Sequence, residues 1–276
     1  MNALETLSAR VAERKHVCVG LDVDREKIPS RLLESDAPTF EFARAIVDAT
    51  KTHAAAYKLN FAFYESEGVE GWRALCETLG YIKETAPGAL LIADAKRGDI
   101  GNTSKKYAQS LFDYFGADAA TLHPYMGVDS LAPFFERADK LNFVLALTSN
   151  PSAADFEKLT LEDGTPLYRA VIAKAKSWNE RKNVGLVFGA TQLGELKENA
   201  PLFGELPVLL PGVGAQGGDL SAVAGALLEA GVRNFLINSS RGIIYRTDGE
   251  DFAEQAAAEV RRMNDAIDEV YRNVGA

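Results

Sequence analysis

Short apolar runs recur along the chain at 17–22, 54–60, 90–94, 119–123, 143–148, 184–189, 207–211 and 234–238, which makes eight candidate strands. Between them, apolar residues fall at helical spacing: Phe42/Ile46/Val47, Trp72/Leu75/Cys76/Leu79, Tyr107/Leu111/Tyr114, Leu131/Phe134/Phe135, Val171/Ala175/Trp178 and Leu220/Val223/Leu227/Leu228. Strict alternation of short strand and helix implies parallel pairing. Eight such units in 276 residues predict an α/β fold, one single (β/α)8 TIM barrel spanning 1–276 with a last helix at about 251–272. Ahead of the first strand, Leu4, Leu7 and Val11 stand at helical spacing among Glu5, Arg10, Glu13 and Arg14, so the barrel carries an N-terminal helix. A doubly wound open sheet is the alternative, but it does not account for polar residues gathered at so many strand ends.

A barrel of this kind carries its site at the C-terminal ends of the strands. The sequence puts Asp22, Lys58, Asp94 with Lys96, His123, Thr148-Ser149, Gly212 to Gly218 and Ser239-Ser240-Arg241 there. The longest crossover, 150–183, holds Pro151, the turn-like Asp163-Gly164-Thr165-Pro166 and one helix, and reads as a lid-bearing insertion. Thr191-Gln192-Leu193 reads as helix capping.

Composition removes several function classes. Formal charge is −9, from 30 Lys+Arg against 39 Asp+Glu, with no basic cluster, so no nucleic-acid partner is expected. Cys18 and Cys76 offer neither a disulfide framework nor metal-ligand spacing, and read as buried thiols. His16, His53 and His123 form no metal-binding pair, and no Gly-x-x-x-x-Gly-Lys-Ser/Thr loop is present. No metal and no cofactor are expected. Residues 1–15 lack the apolar stretch of a signal peptide, and no segment reaches the length of a membrane span. A cytoplasmic protein without membrane contact is the expectation.

Two stretches carry chemistry. Asp94-Ala95-Lys96-Arg97-Gly98-Asp99 sets charges of both signs directly after the apolar run Leu90-Leu91-Ile92-Ala93. Strand residues alternate faces, so Asp94 and Lys96 point the same way, with Asp99 carried onto the following loop. Lys58 ends the earlier run Ala54-Ala55-Ala56-Tyr57. If these two strands are neighbours, the result is a Lys/Asp/Lys/Asp array. Scattered charges would read as surface ion pairs; placement at two strand ends favours a functional site. The second stretch is Pro211-Gly212-Val213-Gly214-Ala215-Gln216-Gly217-Gly218-Asp219, which follows the seventh run and opens a helix. Its four glycines allow close backbone approach and its helix start favours an anion. Ser239-Ser240-Arg241-Gly242 follows the eighth run, and an arginine there offers a bidentate fork to phosphate. Together they imply a phosphorylated substrate.

Lys58, Asp94 to Ile100, Pro211 to Gln216 and Arg241 together closely resemble the orotidine 5′-phosphate decarboxylase family, over nearly the whole barrel. Asp94 to Thr103 and Ser149-Asn150-Pro151-Ser152 are similar to stretches of its longer bacterial type. The resemblance implies cofactor-free decarboxylation of orotidine 5′-phosphate to UMP and CO2. It implies that Asp22 and Lys58 bind ribose hydroxyls, that Asp94 sits near the substrate carboxylate and holds Lys96, and that Lys96 protonates C6. It further implies that Ser149 contacts the pyrimidine, that Gln216 and Arg241 bind phosphate, and that Asp99 and Thr103 reach into the partner's site in a homodimer. Two rivals stand beside it: a metal-dependent sugar-phosphate enzyme sharing Asp-x-Lys-x-x-Asp, against which Lys58 argues by its charge, and a catalytically silent phosphate-binding barrel.

Overall fold

The first strand pairs with the last. In the computed structural model, which describes residues 1–213 and 219–275, eight parallel strands run in sequence order and close on themselves. The elements are α1 (Ala3–Ala12), β1 (Val17–Gly20), α2 (Pro38–Thr50), β2 (Ala56–Asn60), α3 (Phe61–Glu65), α4 (Gly68–Thr85), β3 (Leu90–Arg97) and α5 (Gly101–Gln109). They continue as β4 (Ala119–Leu122), α6 (Ala132–Phe135), β5 (Leu141–Leu147), α7 (Leu167–Trp178), β6 (Val184–Phe188), α8 (Leu193–Phe203), β7 (Val208–Pro211), α9 (Leu220–Glu229), β8 (Phe235–Ser239), α10 (Arg241–Ile244) and α11 (Phe252–Val274). This is the (β/α)8 barrel expected from the alternation of runs, with strand ends displaced by only one to three residues.

The strands are buried on both faces, which is why they read as runs rather than as alternations. On β2, Tyr57 and Leu59 join the core between strands and helices, while Ala56 packs inside the barrel with Cys18, Ile92, Phe143 and Leu236. The N-terminal helix belongs to the inner cluster: Ala3, Leu7 and Val11 of α1 cover the barrel's N-terminal end. A capping box fixes its start, with Asn2 Oδ1 accepting the Glu5 N–H and Glu5 Oε2 accepting the Asn2 N–H, both at 2.9 Å. Closing that end leaves the opposite, C-terminal end as the place for a ligand.

Three sequence expectations need correction, and one helix left no periodic signal. The helix α8 was not legible as a periodic stripe, because its buried face is built from Leu196, Asn199, Ala200 and Phe203, half of it small or polar. Thr191 does not cap it; its hydroxyl instead donates to the Ser149 carbonyl at 3.5 Å. Tyr114 does not share the buried face of Tyr107 and Leu111, because α5 widens into a π turn over Ser110–Tyr114 and rotates Tyr114 into solvent. Finally, β3 does not stop at Asp94 but runs through Arg97, with an irregularity described below. Among the described residues no helix is long and apolar enough to cross a membrane.

Candidate active site

At the C-terminal end of the strands lies a cavity of about 560 Å³. Its floor is formed by inward-facing side chains of neighbouring strands, and the register decides which of them meet. Gly20 of β1 pairs with Lys58 of β2, and Asn60 of β2 with Asp94 of β3. Lys58 therefore stands between Asp22, just past β1, and Asp94. Its Nζ lies 2.8 Å from Asp94 Oδ2 and 3.4 Å from Asp22 Oδ1. Asp94 Oδ1 in turn accepts the Lys96 ammonium at 2.7 Å. Carboxylate, ammonium, carboxylate and ammonium thus alternate across three strands.

Lys58 and Asp94 are buried. Burial alone would push the Lys58 ammonium down, but the Asp94 and Asp22 carboxylates outweigh it and hold the group above the ordinary lysine value. Burial likewise opposes ionisation of Asp94, yet Lys58 and Lys96 keep its carboxyl well below the usual carboxylate range. Both charges persist because each supplies the other's counterion. Lys96 is different: its side chain is 49% exposed and its ammonium faces the cavity, placed to act on a bound molecule.

The structure adds residues the sequence reading did not assign. Thr121 of β4 donates to Asp94 Oδ1 at 2.8 Å; it is the one hydroxyl in the run Ala119-Ala120-Thr121-Leu122, and that contrast was its only signal. Ser240 donates to Asp22 Oδ2 at 2.7 Å. Tyr245 accepts the Asp24 N–H at 2.6 Å and donates to the Asp22 carbonyl at 3.3 Å. Burial, with Asp24 and Asp22 nearby, pushes its phenol up to about 12, so it stays neutral. Asn238 of β8 also lines the cavity, and its buried Oδ1 has no partner among the described residues.

Ser149 and Arg241 line the same cavity. The loop bearing Ser149 is pinned by Glu157, whose carboxylate accepts the Thr148 N–H at 2.7 Å and its hydroxyl at 2.9 Å. Arg241 opens α10 just past β8 and lines the cavity together with Gly212 and Val213, which follow the neighbouring strand β7. Gln216 lies outside the described residues. Asp99 and Thr103 are not brought into the cavity of their own barrel: Asp99 accepts the Ile100 N–H at 2.8 Å, and Thr103 is exposed on the first turn of α5. Among the described residues, no cluster of three His, Cys, Asp or Glu side chains is arranged to hold a metal ion.

Residues 15–256 match the family model described as "Orotidine 5′-phosphate decarboxylase / HUMPS family". The chain belongs to this family. Its similarity to individual members extends almost end to end. An orotidine 5′-phosphate decarboxylase of Christiangramia forsetii is 45% identical over 267 residues, 97% of each chain. One of Natronomonas pharaonis is 47% identical over 278 residues, covering 100% of this chain and 95% of that protein. Among solved structures, the OMP decarboxylase of Leishmania donovani superposes with a TM-score of 0.81 at 38% identity, covering 96% of this chain and 99% of that one. The geometry above says what Lys58 and the Asp94-to-Asp99 segment build in this chain: a buried, self-neutralised Lys58–Asp94 pair with Lys96 projecting from it.

Proposed function

We infer that this chain decarboxylates orotidine 5′-phosphate to UMP and CO2, the last step of UMP biosynthesis, using no cofactor. The observation that carries the reading is the alternating array, in which Lys96 reaches the cavity while Asp94 and Lys58 hold each other ionised beneath it. In the reaction the C6–carboxylate bond breaks, CO2 leaves, and the electron pair stays at C6. A fixed ammonium stabilises that charge without reorganisation, and Lys96 then gives its proton to C6. Asp94, beside the departing carboxylate, holds Lys96 in place. Asp22 and Lys58 are proposed for the ribose hydroxyls, Ser149 for the pyrimidine, and Gln216 with Arg241 for the phosphate. Phosphate binding remote from C6 supplies energy that organises the reacting end.

The metal-dependent rival within the family is disfavoured by the position of Lys58. Its ammonium already occupies the space between Asp22 and Asp94, where a divalent cation would need those carboxylates. The reading extends to a homodimer in which Asp99 and Thr103 complete the partner's site. Its support is a set of exposed apolar side chains in the segments after β3 and β4, Ile100, Tyr125, Met126 and Val128. One catalytic unit over 1–276 and a cytoplasmic location, suited to the free thiols Cys18 and Cys76, belong to the same proposal.

The test is the fall in orotidine 5′-phosphate absorbance on adding the protein in excess chelator. Turnover to UMP under those conditions is expected. Activity only with added Mg2+, or on a sugar phosphate instead, overturns the reading.

A further inference from the structure

Between β3 and β4 the ladder goes out of step. Ala93 pairs with Ala120 and Arg97 with Leu122, so Asp94, Ala95 and Lys96 stand opposite the single residue Thr121. Within this bulge Lys96 takes φ +46, a left-handed conformation that is costly for a side-chain-bearing residue and persists only where its surroundings enforce it. A bulge also leaves main-chain groups without ladder partners. Thr121 supplies the missing one: its Oγ1 accepts the Lys96 N–H at 3.1 Å. The same oxygen donates to Asp94 Oδ1 at 2.8 Å, and Asp94 Oδ1 is the atom that holds the Lys96 ammonium at 2.7 Å.

The direction of each bond is fixed. An ionised carboxylate only accepts, so the hydroxyl proton points to Asp94 and an oxygen lone pair is left for the Lys96 amide. A ring results in which Lys96 is tied to Asp94 twice, through its ammonium and, by way of Thr121, through its main chain. Thr121 is only 2% exposed, so water does not readily replace its hydroxyl.

We propose that Thr121 is a positioning residue, the strut that holds Lys96 in its left-handed bulge and thereby sets where its ammonium stands over the reacting carbon. The role rests on the decarboxylase reading above. Thr121 acts through Asp94 and Lys96 and not on the phosphate end, so its loss belongs in the chemical step and not in binding.

Two variants separate hydroxyl from packing. Thr121→Val keeps the branched shape and removes the hydroxyl; Thr121→Ser keeps the hydroxyl and removes a methyl group. Thr121→Val is expected to lose roughly 10- to 100-fold in kcat, the scale of one charge-assisted hydrogen bond with a part-buried N–H left without its partner. KM for orotidine 5′-phosphate and Kd for UMP should stay within about threefold of the parent. Thr121→Ser should restore kcat to within about threefold, even if its Tm is the lower of the two. Parental turnover in Thr121→Val overturns the proposal, as does a Thr121→Ser variant equally impaired, which would assign the effect to packing. A parent without activity on orotidine 5′-phosphate would defeat the decarboxylase reading instead. In that event the strut is still decided by amide hydrogen exchange in the whole protein. The Lys96 amide should exchange roughly tenfold faster or more in Thr121→Val, and an unchanged rate refutes the strut.

Discussion

Lys96 follows Asp94 by two residues on the same strand, yet its Nζ lies 2.7 Å from Asp94 Oδ1. A regular strand would set two such side chains side by side, about 6.6 Å apart at their bases. The bulge and the positive φ of Lys96 depart from that geometry, so the pair is an ion pair built within one strand end. The sequence expectation that both residues face one way holds in outcome, while the geometry that achieves it is not the alternation of a regular strand.

The clearest consequence is a separation of chemistry from binding. Under the proposed mechanism Lys96→Ala removes both the charge stabiliser and the proton donor, and should lower kcat by about a thousandfold or more. UMP affinity should largely survive, since Arg241 and Gly212 lie on another part of the cavity. Single-turnover kinetics and UMP titration calorimetry check the two halves. Near-normal turnover would remove Lys96 from the mechanism.

Asp99 and Lys96 test the shared site. If Asp99 works in the partner's cavity, a mixed dimer of Asp99→Ala and Lys96→Ala has one site with both defects and one intact. Co-refolded equal mixtures should recover about a quarter of parental activity, assuming random pairing and independent sites. If Asp99 acts within its own protomer, every site keeps one defect and mixing restores nothing. Sizing of the parent and the mixture establishes that subunits pair at all.

Gly20 is constrained by its neighbour on the next strand end. A Cβ there would lie 1.9 Å from Ser240 Oγ and 3.3 Å from Asn238 Oδ1. Gly20→Ala should therefore drive Ser240 off Asp22, to which it now donates at 2.7 Å. A loss of about 1–3 kcal/mol in stability is expected from the overpacking, together with weaker UMP binding. Urea unfolding and UMP titration measure these, and a variant unchanged in both would contradict the placement.

His16 predicts an acid-side loss of stability. It is fully buried under Phe235, with Nδ1 3.0 Å from the Phe235 carbonyl and Nε2 3.0 Å from the Tyr271 hydroxyl. The carbonyl can only accept, so Nδ1 carries the proton and Nε2 accepts from Tyr271. Burial, opposed by the Phe235 carbonyl and aided by Arg14, lowers the imidazole from 6.5 to about 4. Between those values the unfolded chain binds a proton at His16 and the folded chain does not, so stability falls as pH drops from 6.5 towards 4. The full loss is roughly 3 kcal/mol. His16→Gln should show a flatter stability profile in that window by urea unfolding, and identical slopes would exclude His16 as the cause.

The sequence by itself determined the barrel, because eight apolar runs separated by helical stripes leave parallel closure as the economical way to bury both faces of each strand. It also determined that Asp22, Asp94, Lys96, Ser149 and Arg241 share one end, since each follows or ends a run; Lys58, expected there too, stands in the middle of β2, and all six line the cavity. Tertiary structure alone decided how they meet. Which carboxylate neutralises Lys58 depends on strand register, a property of pairing between strands and not of either strand's composition. The part played by Thr121 depends on a bulge that sets three residues against one, and nothing in Ala119-Ala120-Thr121-Leu122 records which residues of the neighbouring strand lie opposite. Asp99 and Thr103 mark the same boundary from the other side: though close in sequence to the end of β3, they do not line their own cavity, and α5 begins between them.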